Sequence, residues 1–150
     1  TKQDYDADLA AFALKTAPTG DVVGTTDTQG LTNKTLTNPT VTNYVESVVA
    51  IGTVSSSSTL SLTNGTVQII TLTGNCTYTF PTPTSGKSFM LLQKQDATGS
   101  RVPTWGANVK FAGGSAPPYT ANASAVDIWT FTTYDGGTTY VGTLAVKDAR

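Results

Sequence analysis

At 150 residues the chain is one domain with room for a modest appendage. Its net charge is −1, and nine basic residues scattered from Lys2 to Arg150 form no stripe to neutralise phosphates, so nucleic-acid binding has little support and no nucleic-acid partner is expected. There is no His and only one cysteine, Cys76, so Ser-His-Asp and Cys-His catalysis, His-ligated zinc and an intrachain disulfide are excluded as well.

Residues 4–15 carry a helical pattern, with Tyr5, Leu9 and Phe12 at i, i+4 and i+7 on one face. Asp4 or Asp6 caps the start, and Ala17-Pro18 with Gly20 ends the helix. Asp4, Asp6 and Asp8 imitate the opening of a calcium loop. Leu9 stands where that loop needs glycine, however, and no bidentate Glu follows, so no metal is expected. So short a helix is marginal alone in water, and its apolar face must pack on something else.

Three five-residue units follow: Leu31-Thr-Asn-Lys-Thr, Leu36-Thr-Asn-Pro-Thr and Val41-Thr-Asn-Tyr-Val. Leu31, Leu36 and Val41 are too sparse to build a core, and a step of five does not match a helix stripe. Pro39 removes a backbone donor, and the Thr and Asn content disfavours helix. The tract is expected to be extended and to lean on copies of itself around a common axis. Gly30, just ahead, admits a local bend. The expected organisation is an anchoring helix over 1–17, an extended fibrous segment over 18–43 and a β-domain over 44–150.

From Tyr44 onward the pattern is β. Charged residues are only 13%, against roughly 25% in ordinary soluble domains, while Thr supplies 30 of the 150 residues. Hydroxyls on β-branched side chains therefore carry the polarity. Strands are expected near 45–51, 58–63, 66–73, 76–80, 87–95, 102–111, 126–134 and 138–146. Val67, Ile69 and Thr71 alternate with Gln68, Ile70 and Leu72, as in a strand covered on both faces. Phe89-Met-Leu-Leu reads as a central strand. Asn64-Gly65 and Gly74-Asn75 supply turns, and Asp135-Gly136 is the strongest hairpin signal. Eight short strands predict an all-β fold, a β-sandwich or jelly roll, with Cys76 an inert buried thiol on one of them.

A glycosidase needs two carboxylates roughly 5–9.5 Å apart across its substrate. Glu46 is the only Glu, and Asp96, Asp127, Asp135 and Asp148 have no spacing that implies convergence. Neither catalysis, as a polysaccharide hydrolase or otherwise, nor a cofactor is expected. Glycan binding is a softer alternative, because sugars stack on aromatic faces and bond to amides and carboxylates. Trp105, Asn108, Tyr119, Asn122, Tyr134 and Asp135, near turns, are the candidates. Trp129, between Ile128 and Phe131, reads as core.

Tyr5-Asp-Ala-Asp-Leu-Ala-Ala-Phe-Ala resembles the short helical motif of tail-fibre and spike proteins of tailed bacteriophages. Val22-Val-Gly-Thr-Thr-Asp-Thr-Gln and the pentads are similar to the fibrous segment that follows it in that family. Val102-Pro-Thr-Trp-Gly, Gly113-Gly114, Ala125-Val-Asp-Ile-Trp-Thr-Phe and Asp135-Gly-Gly resemble the β-domain at the C-terminus of phage fibres. The ending, Leu144 to Arg150, departs from the aromatic ending of that family. The resemblance implies a homotrimeric structural virion protein: a tail fibre, spike, head fibre or decoration.

Tyr5, Leu9 and Phe12 would anchor it to another virion protein (capsid, portal or tail), with Leu31, Leu36 and Val41 in the trimer. The β-domain would be displayed for host attachment, and a receptor-binding tip for host-surface glycan is the alternative. The N-terminus has no signal-peptide pattern, and no apolar run approaches the roughly 20 residues that span a bilayer. Thr1 fits removal of an initiator Met. The expectation is a nearly complete chain made in the host cytoplasm and released by lysis in an assembled particle, without membrane insertion.

Overall fold

A computed structural model of the chain describes residues 26, 28 and 30–150. The expected helix, with Tyr5, Leu9 and Phe12, lies outside the described residues. The chain divides into two units, Thr1–Thr42 and Asn43–Arg150.

In the first unit the described residues form neither helix nor strand and are all exposed. Leu31, Leu36 and Val41 are 51%, 59% and 59% exposed. The chain does not bend at Gly30, contrary to the expectation; it bends at the asparagines. Asn33 and Asn38 have φ of 54° and 49°, and Asn43, which opens the second unit, has 58°. Each is the third residue of its pentad. Asn is among the few non-glycine residues that tolerate this left-handed region, because its short amide bonds locally. The sequence repeat is thus a backbone repeat.

The second unit holds nine strands: β1 Val48–Val54, β2 Ser57–Thr59, β3 Val67–Leu72, β4 Cys76–Thr79, β5 Ser88–Gln95, β6 Pro103–Thr104, β7 Val109–Lys110, β8 Val126–Thr133 and β9 Tyr140–Val146. They form a six-stranded sheet, in order β1-β3-β5-β8-β9-β7, and a three-stranded sheet, β2-β4-β6. The pairs β1–β3, β3–β5, β2–β4 and β4–β6 are all parallel. The chain therefore alternates between the sheets through three turns of a coil, each adding one strand to each sheet. Strands β8 and β9 then close the large sheet as an antiparallel hairpin, and β8 pairs with β5.

This corrects the jelly-roll expectation, which requires antiparallel pairing. Asn64-Gly65 and Gly74-Asn75 do not turn hairpins. Their segments cross from one sheet to the other and lie on the preceding turn of the coil. A Cβ on Gly65 would strike the Ser47 carbonyl oxygen, and one on Gly74 the Ser55 carbonyl oxygen. The expected strand over 102–111 is also split: β6 joins the small sheet and β7 the edge of the large one.

Between the sheets lies an aromatic core. Trp129, Phe131, Phe89 and Tyr140 project from the large sheet, and Tyr78 from the small one, with Phe80 just beyond it; all are buried. Phe80 packs on Phe131 at 4.9 Å and on Tyr140 at 5.0 Å between ring centroids. Cys76 is buried beside them, and burial raises its thiol pKa, consistent with an inert thiol.

The glycine contacts give a direct test. Gly74→Ala should cost about 1–3 kcal/mol in urea unfolding, because a backbone carbonyl cannot move aside without breaking the stacking. Gly30→Ala, with no atom within 4 Å, should leave the unfolding midpoint unchanged.

Candidate interaction surface

The glycan candidates do not form one site. The Trp105 ring is half-buried and packs against the core: it stacks on Tyr78 at 5.0 Å and lies 4.7 Å from Trp129. Tyr119 is half-buried against the same core. Asn122 precedes β8 and Tyr134 follows it, so they stand roughly 25 Å apart along an eight-residue strand. Asn108, Tyr134 and Asp135 lie around the β8–β9 turn. Asn108 Nδ2 donates to the Gly137 carbonyl (3.4 Å), and Tyr134 is 68% exposed.

The carboxylates are held by their own surroundings. Asp135 accepts from Thr139 N (2.8 Å) and the Thr133 hydroxyl (3.1 Å), closing the hairpin. Asp96 pairs with the Arg101 guanidinium at 2.8 Å. Asp127, fully buried, accepts from Thr120 N (2.6 Å) and Asp148 N (3.0 Å), tying a long loop and the C-terminal segment to β8. Asp148 pairs with Arg150.

The open feature is the outer face of the large sheet. A groove of about 440 Å³ crosses it, walled by Glu46, Thr66, Ser88, Thr130, Thr132 and Thr143, with Val67, Met90 and Val141 as its apolar lining. The register aligns Val67, Met90, Thr130 and Thr143 in one row and Ser88, Thr132 and Val141 in the next. The Ser88 and Thr132 hydroxyls bond at 2.8 Å, and the Thr66 hydroxyl donates to Glu46.

A family model described as "Putative phage tail fibre C-terminal domain" matches residues 55–139, more than half of the chain. The chain belongs to this family. No curated protein and no solved structure matches it. The phage tail fibre match begins just after β1 and stops one residue before β9, so it takes in most of the coil and the hairpin turn. A tail fibre domain is a structural part of the virion. The pentads lie outside the matched span.

The groove was not among the sequence candidates. Its signal was the apolar outward set Val67, Ile69, Met90 and Leu92, which reads as covered on both faces.

Three surface carboxylates hold their pKa below the ordinary value: Asp96 chiefly through Arg101, Asp135 through the Thr139 N–H, and Asp148 through Arg150. Each binds protons less readily when folded than when unfolded, so its stabilisation is full above the unfolded pKa, near 3.9, and is lost as pH falls through the lower folded value. Thermal melting should therefore stay level from neutrality to about pH 4 and decline below it. Asp135→Asn should lower the melting temperature at pH 7 and flatten that decline.

Proposed function

We propose that this chain is a structural fibre or spike subunit of a tailed bacteriophage that assembles as a homotrimer. Its N-terminal segment would dock on another virion protein, and its β-domain would be displayed outward for host attachment. The observation that carries this is the pentad tract. One aliphatic side chain recurs every fifth residue, each unit turns at a left-handed Asn, and more than half of each aliphatic side chain is exposed among the described residues. Ordering a residue costs about 1–2 kcal/mol, and side chains this exposed recover little of it by burial. Packed against copies, each Leu or Val contributes about 1.5–3 kcal/mol. Three copies is the number implied by the likeness to phage fibres. The function needs no catalysis.

Light scattering on the full chain should give three times the monomer mass. Leu36→Ser with Val41→Ser should shift it toward monomer at micromolar concentration. A wild-type monomer would refute the proposal.

A second reading, glycan recognition, is favoured by the exposed Tyr134 at the hairpin turn that also holds Asp135 and that Asn108 bonds through Gly137. The isolated protein should compete with the phage that carries it for adsorption, and Tyr134→Ala should weaken that competition without changing the melting temperature. Equal competition by the variant would remove this reading.

A further inference from the structure

The outer face of the large sheet is built as though covered. Its three parallel strands carry apolar residues outward, yet parallel sheets are stable almost only with both faces buried. Val48, Met90, Val141 and Val146 are 60%, 37%, 41% and 42% exposed there, and Val67, Ile69, Leu92 and Ile128 are half-buried. Tyr44 and Val45, leading into β1, are 69% and 90% exposed.

The two side edges of this face carry charges of opposite sign. Glu46 walls the groove on the β1 side. At the other edge β7 pairs with β9 so that Lys110 lies beside Val141, in the row that runs through Thr132 and Ser88. Val109 is buried, which turns Lys110 outward; its ammonium donates to the Ala107 carbonyl at 2.8 Å. Lys94, at the far end of β5, is the remaining charge on this face.

A face that is apolar in the middle, negative at one edge and positive at the other complements a second copy of itself. With the faces turned toward a common axis, the negative margin of each copy meets the positive margin of the next; such head-to-tail contacts form a ring when the rotation closes, as a trimer requires. We propose that this face is the contact between β-domains of neighbouring copies, with the Glu46 margin of one against the Lys110 margin of the next. The inference rests on the self-assembly proposed above and names the surface that carries it.

Met90, the chain's one methionine, reports on the contact. Full-length protein is treated with peroxide, sulfoxide is followed by intact mass, and light scattering gives the oligomeric state. The comparison is Val48→Lys with Val141→Lys, both at positions exposed in the single chain; near-ultraviolet dichroism of Trp105 and Trp129, on the opposite face, checks folding. Met90 in the wild-type assembly should oxidise roughly tenfold more slowly than in this variant. Glu46→Lys and Lys110→Glu should each weaken assembly on dilution, and the double reversal should restore it. An assembled wild type whose Met90 oxidises as fast as the variant's would overturn the inference and leave self-assembly through the pentads standing. Failure of the double reversal would overturn the head-to-tail pairing. A monomeric wild type would overturn this inference and the assembly reading together.

Discussion

A coil that passes alternately through two sheets must lay each connection on the backbone of the turn before it, and the rest of the β-domain follows from that close approach. The connections are tied there by backbone bonds: Thr73 N to Val54 O at 2.8 Å, Thr77 N to Ser56 O at 2.9 Å and Cys76 N to Val102 O at 2.9 Å. Gly65 and Gly74 sit where backbone stands over backbone with no room for a side chain. Glycine is needed here for its missing Cβ, not for a special torsion angle.

The same constraint explains the amides inside the core. Segments that cross between sheets leave polar groups unpaired by either sheet, and buried groups of that kind must find partners. Gln68 donates to the carbonyls of Ser61 (3.0 Å) and Gly65 (2.7 Å), while Gln95 exchanges two 2.9 Å bonds with the Arg101 backbone. Gln93 accepts from the Tyr78 hydroxyl at 3.0 Å, joining the two sheets. Burial drives the pKa of that phenol far above its ordinary value, which favours the protonated, donating form. Side-chain amides on the large sheet thus fix the path of the crossings, and the aromatic rings fill what remains.

Much of this was legible one strand at a time. Alternation located the long strands, the apolar run at Phe89 marked the central one, and Asp135-Gly136 gave the hairpin. Which strands pair was not legible from turn residues, because Asn-Gly serves a crossing as well as a hairpin. The discriminating signal lay in β3 and β5, apolar on both faces as parallel strands are. Trp105 was less legible: its place near turns made it a glycan candidate, whereas β6 ends one residue earlier and the ring falls back onto Tyr78 and Trp129. The left-handed asparagines could have been read from the Thr-Asn repeat, since Asn recurring at one position of a short period supplies what that torsion requires.

The composition then takes on a mechanical meaning. A subunit that meets copies of itself needs apolar surface, but a chain that folds before it assembles must carry that surface through water. Charge would protect it in water and obstruct the contact, since a buried unpaired charge is expensive. Threonine meets both demands: its methyl packs, its hydroxyl is solvated or bonds to a neighbour as Ser88 and Thr132 do, and its branched Cβ suits a strand. Both the pentads and the outer sheet face set isolated aliphatics among Thr. On the outer face Glu46 and Lys110 stand at opposite side edges, where, under the contact proposed above, they would select a direction of approach without a desolvation cost at the apolar centre. Low charge and abundant Thr are what a strand-built surface needs if it is to stay soluble alone and become dry in company.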